Sequence, residues 1–219
     1  MALRVEPTEI PDVLVVTPDA FEDDRGWFME AYRSDTAARA GLPDSFLQVN
    51  HSRSRRAVVR GLHFQWDPPQ GKLMRVIRGE AFLVAVDIRP RSPTLGRWTS
   101  ITASDDDRRQ LWAPASFARG FAALSDVVDI EYLCTATYNP AAESGIRWND
   151  PDIGIDWPIG EPVMSGKDAS AQTLREWLAR PEAGVFAFTP AGLVDVNDRS
   201  PMNEQAVAGE LPERGPTPR

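Results

Sequence analysis

The chain has 219 residues, 42% hydrophobic and 26% charged, enough for one sizeable domain with or without a tail. Its formal net charge of -8 argues against broad nucleic-acid binding, which rests on basic surface. One cysteine, Cys134, excludes an internal disulfide framework and suits a reducing compartment. Two histidines, His51 and His63, are too few for the usual metal centre of a β-barrel enzyme, so no metal is expected.

The N-terminal segment Met1-Ala2-Leu3-Arg4-Val5-Glu6-Pro7 has no apolar core of signal-peptide length. No apolar run approaches the length of a membrane span. A cytoplasmic protein with no membrane partner is expected. Most of the chain then reads as short strands broken by Gly, Pro and Asp. Gln48 and Asn50 alternate onto one face. Arg60-Gly61-Leu62-His63-Phe64-Gln65 places His63 on a strand, and in a chain with only two histidines it is better suited to moving a proton than to holding a metal. Strict alternation puts Arg60 and His63 on opposite faces, unless Gly61 admits a bulge that turns both the same way.

Residues 73–78 and 81–88 read as two strands around a turn at Gly79-Glu80, with Phe82, Val84, Val86 and Ile88 on one face. Residues 98–103, 109–113 and 127–135 read as further strands, the last placing Ile130, Tyr132 and Cys134 together. Many short strands at close spacing predict a mainly β sandwich or barrel. One helix is predicted over 169–180, with Leu174, Trp177 and Leu178 at helical spacing and Asp168 or Ser170 as its cap. After Phe188 there are no aromatics, and Pro201, Pro212, Pro216 and Pro218 fall in a polar stretch. This predicts one domain over 1–188 and a disordered tail over 189–219.

An ordered series of segments carries a resemblance. It comprises residues 21–30, 48–52, 60–65, 70–73, 84–89, 92–98, 109–112, 132–134, 145–148, 156–158 and 165–168. Together, from about Val5 to Leu178, they resemble the nucleotide-diphosphate 4-keto-6-deoxysugar epimerases, the dTDP-4-dehydrorhamnose 3,5-epimerase family. The resemblance implies a cupin-type jelly-roll β-barrel with a few short helices, a homodimer, a dTDP-sugar substrate and no cofactor. It makes His63 the general base, Asp168 the carboxylate that orients it, Tyr132 the general acid and Lys72 the cation that steadies the enolate oxygen. It implies substrate contacts at Arg25, Glu30, Gln48, Asn50, Arg60, Tyr138, Glu143 and Lys167, with the Arg25 region reaching the neighbouring subunit's site. Read alone, each has a plainer explanation: a hydrogen-bonded strand histidine, a helix cap, a core tyrosine, a solvated lysine.

One position departs from the pattern. The family has Phe-Ala-His-Gly-Phe where this chain has Phe117-Ala118-Arg119-Gly120-Phe121. Arg119 can bind a hydroxyl or phosphate but cannot share a proton reversibly. Inversion at both C3 and C5 is the expected reaction. A single-carbon epimerase, a non-catalytic sugar-nucleotide-binding cupin and a metal-dependent oxygenase stand as alternatives.

Overall fold

The computed structural model describes residues 2–189, and the expected tail, but for Thr189, lies outside them. The first strands are β1 (Leu3–Pro7), β2 (Leu14–Pro18), β3 (Ala20–Asp23) and β4 (Gly26–Met29), followed by helix α1 (Ser34–Arg39). Next come β5 (Gln48–Arg55), β6 (Val59–Gln65), β7 (Lys72–Arg78), β8 (Glu80–Asp87) and β9 (Trp98–Ser104). The last strands are β10 (Gln110–Ala113), β11 (Phe117–Ala123), β12 (Val127–Cys134) and β13 (Glu143–Gly145). Helices α2 (Gly166–Ala169) and α3 (Leu174–Leu178) and a 3-10 turn (Pro181–Phe186) end the described chain.

Two antiparallel sheets carry the fold, in strand orders β1-β2-β10-β7-β12-β5 and β13-β6-β11-β8-β9. Their inner faces meet in one core: Met74, Val76, Leu111 and Ile130 from the first sheet pack with Leu83, Ala85, Ile101 and Phe121 from the second. This is the expected cupin-type jelly-roll barrel, and strands β7, β8, β9, β10 and β12 fall where alternation predicts them.

Strand β8 is buried on both faces. Leu83 and Ala85 point into the barrel, while Phe82, Val84, Val86 and the following Ile88 join a second cluster outside it. That outer cluster contains Trp157, Leu174, Trp177 and Phe186. Phe64 of β6 lies 4.5 Å from Trp177, ring centroid to centroid. Each large apolar side chain removed from water here stabilises the fold by about 1.5–3 kcal/mol. The C-terminal segments are thereby fixed against the outside of β6, the strand that bears His63.

The single helix predicted over 169–180 is corrected to two short ones. Thr173 and Glu176 form a reciprocal capping box that starts α3 at Leu174, and Asp150 also accepts a hydrogen bond from the Leu174 amide at 2.7 Å. The residues before it are extended instead, with Gln172 bridging to Ile146. The cap is corrected too: Ser165, not Asp168 or Ser170, caps α2, and its hydroxyl accepts from the Asp168 amide. Asp168 keeps its carboxylate for another partner.

Candidate active site

The departure from simple alternation is built into β6. Arg119 of β11 pairs with His63 and Phe121 with Arg60, so β6 holds one residue more than β11 between those pairs. This bulge turns both Arg60 and His63 to the same cleft, which strict alternation forbids. Glycines make it possible. Gly61 has φ of 129°, and a Cβ there would lie 2.6 Å from the Gly120 Cα, so β6 and β11 approach as only a glycine pair allows.

The cleft encloses about 210 Å³ and is lined by residues from both sheets. Arg60, His63 and Arg119 come from the five-stranded sheet, and Asn50, Ser52, Lys72 and Tyr132 from the six-stranded sheet. His63 Nε2 and Asp168 Oδ1 are 2.7 Å apart. Asp168 is buried, and burial pushes its carboxyl up. The His63 hydrogen bond and charge, Ser165 and the Gly61 amide outweigh that, so its pKa lies below the ordinary carboxylate value. It is therefore a standing negative charge behind the imidazole.

On the other sheet, the Tyr132 hydroxyl is 2.9 Å from Ser52 Oγ. Burial pushes the Tyr132 phenol up to about 12, against a smaller opposing effect of Ser52. Such a phenol keeps its proton until a strong base takes it. The Lys72 ammonium lies 5.9 Å from the Tyr132 ring centroid. Burial, and then the charge of Arg119, bring Lys72 down to about 8. Lys72 is half-buried at the cleft rather than fully solvated.

Around this centre, Gln48 donates to Asn50 Oδ1 at 2.9 Å and accepts from the Tyr138 amide at 2.7 Å. The Tyr138 ring is exposed. Glu143 of β13 forms an ion pair with Lys167 of α2, next to Asp168. Arg60 is held by Ser54 Oγ at 3.0 Å and the Arg53 carbonyl at 3.1 Å. Gln48, Tyr138, Glu143 and Lys167 surround this cleft without lining it, and two expected residues lie apart from it altogether. Arg25 sits in the β3–β4 turn paired with Asp23, its side chain 89% exposed, and Glu30 pairs with Arg33 at 3.6 Å. Ser52 is the residue the sequence reading missed. It stands two positions after Asn50, so the alternation that joined Gln48 to Asn50 would have reached it. Among the described residues, no three His, Cys, Asp or Glu side chains converge as a metal site.

An imidazole backed by a carboxylate on one wall, and a phenol and an ammonium on the other, are the kinds of group an acid–base isomerase uses. The family comparison makes this specific. The family model described as dTDP-4-dehydrorhamnose 3,5-epimerase matches residues 7–176, and the chain belongs to that family. It is 48% identical over 176 residues to a dTDP-4-dehydrorhamnose 3,5-epimerase of Methanothermobacter thermautotrophicus, covering 79% of this chain and 95% of the relative. It is 41% identical to a dTDP-4-dehydrorhamnose 3-epimerase of Streptomyces niveus, covering 80% and 85%. Among solved structures, a dTDP-6-deoxy-D-glucose-3,5-epimerase of Legionella pneumophila in complex with dTDP-4-keto-L-rhamnose superposes with a TM-score of 0.80. That likeness is at 41% identity and covers 86% of this chain and all of the other.

Proposed function

We propose that this protein is a cofactor-independent epimerase of dTDP-4-keto-6-deoxyglucose that inverts C3 and C5 to give dTDP-4-keto-L-rhamnose. The observation that carries this reading is the 2.7 Å His63–Asp168 pair on one wall of a cleft whose other wall bears Tyr132 and Lys72. The 4-keto group acidifies the protons on both neighbouring carbons. His63 takes one, the C–H electron pair moves into the enolate, and negative charge collects on O4 beside Lys72. The Tyr132 hydroxyl then returns a proton to the carbon from the opposite face, inverting it, and the enolate collapses to the ketone. Asp168 holds the imidazole and stabilises its charged form. Burial in the cleft favours protonation by Tyr132 over water.

Arg60, exposed at the cleft, takes the diphosphate, and Tyr138 stacks on the thymine, with Gln48, Asn50, Glu143 and Lys167 as further contacts. Arg25 and Glu30 serve the site of a second copy in a homodimer. Two features support that assembly. Phe21, Trp27 and Phe28 are exposed on the β3–β4 hairpin, and Leu47 and Val49 are exposed at or next to the edge strand β5. The free, buried thiol of Cys134 fits a cytoplasmic setting. No helix among the described residues is long and apolar enough to cross a membrane.

Arg119 supports a second reading, inversion at one carbon only, because a changed contact can tilt the sugar. A misplacement of about 1 Å can cost roughly a hundredfold in rate. One experiment decides between them. The enzyme is incubated with dTDP-4-keto-6-deoxyglucose in heavy water and the C3 and C5 protons are followed by NMR. Loss of both signals is expected. Loss of one establishes the single-carbon reaction, and loss of neither while dTDP binds refutes both.

A further inference from the structure

Arg119 is the charged group of the cleft with the most unusual setting. It is 3% exposed. Its Nη1 donates to the Gln70 carbonyl at 2.7 Å and the Pro114 carbonyl at 3.0 Å, which fixes the guanidinium plane. Its Nε and Nη2 are buried and have no partner. Buried donors are nearly always paired, so two orphans on one side chain at a cleft mark a place for an acceptor. Among the described residues none of Arg60, Lys72 and Arg119 forms an ion pair, so three cations line one small cleft with no carboxylate among its lining residues.

Which anion fits is decided by position. Arg119 pairs in register with His63 on the adjacent strand. It also lines the same cleft as Lys72, close enough for the two charges to act on each other, and so stands on the side where the substrate oxygen takes up negative charge as His63 becomes positive. The diphosphate must lie towards solvent, where Arg60 is exposed. We propose that Arg119 is a catalytic residue of this enzyme, and that its Nε–H and Nη2–H bind the enolate oxygen together with the Lys72 ammonium. This rests on the epimerase reading above. A fixed, pre-aimed donor pair is worth most where charge develops in a water-poor site.

The test compares wild type, Arg119→Gln and Arg119→Lys. It measures deuterium incorporation at C3 and C5 under saturating substrate, KM, and dTDP affinity by calorimetry. Arg119→Gln is expected to lower kcat for exchange by about 10²–10³-fold, the usual effect of removing an oxyanion donor, with dTDP affinity changed less than about threefold. Arg119→Lys keeps charge and bulk, so it folds even where the glutamine variant does not. It loses the planar fork and is expected to lower kcat at least about tenfold at unchanged dTDP affinity. Raised KM with normal kcat would make Arg119 a ground-state contact and overturn the proposal. Weakened dTDP binding with normal kcat would assign it to the diphosphate and also overturn it. Wild-type enzyme that exchanges neither carbon would remove the epimerase reading and this inference together. Wild-type exchange with normal kcat in both variants would remove this inference alone.

Discussion

The cleft and the β3–β4 hairpin are two regions of one chain finished to different degrees. In the cleft, side chains arrive from both sheets and most are already held: His63 by Asp168, Tyr132 by Ser52, Gln48 by the Tyr138 amide, Arg60 by Ser54. On the hairpin, Phe21, Trp27 and Phe28 are more than half exposed, and Arg25 meets only its neighbour Asp23. The difference teaches where one chain completes its chemistry and where it leaves surface for something else. The cleft brings together an imidazole, a phenol and an ammonium, the groups the proposed proton transfer needs. The hairpin contains exposed aromatics and an outstretched cation, which is what a second copy would use.

The sharpest way to break that distinction is His63→Ala. If the cleft alone performs the chemistry, deuterium exchange at every carbon should fall by about 10³-fold or more, within the range for losing a general base. Binding of dTDP should be nearly unchanged, since the proposed nucleotide contacts lie elsewhere. Normal turnover in this variant would overturn the mechanism.

Lys72 comes next, because its charge is set by its surroundings. Its ammonium faces Arg119 from β11, which lowers its pKa, and Cys134 from β12 and Glu143 from β13, which raise it, with burial the largest influence. In the proposed mechanism it is the charged form, prevailing below about pH 8, that stabilises the enolate. Exchange should therefore decline as pH rises through about 8, and Lys72→Met should abolish that decline while costing about 10²–10³-fold at pH 7. A Lys72→Met enzyme that keeps the same alkaline fall would assign the transition to another group. In Arg119→Gln the alkaline fall should move to higher pH, because a neighbouring positive charge is gone.

The same contrast explains what was legible in the sequence. Strand β8 announces itself as a short apolar run ended by Asp87, and the paired face of Gln48 and Asn50 was visible from period-two alternation. The co-facing of Arg60 and His63 was not, because it depends on one extra residue in β6 and on two glycines meeting across strands. The helix over 169–180 misled because apolar spacing continued through Leu174 and Trp177, while the capping box at Thr173 and Glu176 decided where helix begins. Asp168 looked like a cap, but Ser165 three residues earlier takes that role. The burial of Arg119 and the half-burial of Lys72 come from long-range packing and have no local signature. The family resemblance, in contrast, was legible, since it depends on the order of many short segments rather than on any one of them.

The hairpin's side of the comparison is sharpened by mixing two variants. If Arg25 reaches a neighbour's cleft, Arg25→Ala should weaken turnover about tenfold or more, as loss of a charged substrate contact of about 1.5–3 kcal/mol implies. Mixing Arg25→Ala with His63→Ala should then restore activity. In a mixed dimer, the cleft with intact His63 receives Arg25 from the other chain. Random assembly leaves about a quarter of all sites whole, since half the dimers are mixed and each has one complete site. No recovery after subunit exchange would mean that Arg25 acts on its own chain's cleft or on none.

The smallest expected effect concerns Phe28, which is 63% exposed in the single chain. Truncating a fully buried aromatic such as Trp177 to alanine should cost about 3–5 kcal/mol of stability, because it leaves a cavity under β6. Phe28→Ser removes surface already in water, and should move the stability of an isolated chain by no more than about 0.5 kcal/mol. If the hairpin packs against a second copy, however, the ring is buried there, and its loss should shift association to higher protein concentration. Sedimentation across a dilution series, beside a thermal melt at one concentration, separates the two. A weaker dimer with an unchanged melt at low concentration fits the hairpin as an interface. A dimer untouched by Phe28→Ser would move the interface to the β5 edge, where Leu47 and Val49 are also exposed. The Arg25 mixing result would then need another explanation, because a cation can complete a neighbour's cleft only if the hairpin that carries it lies against that neighbour.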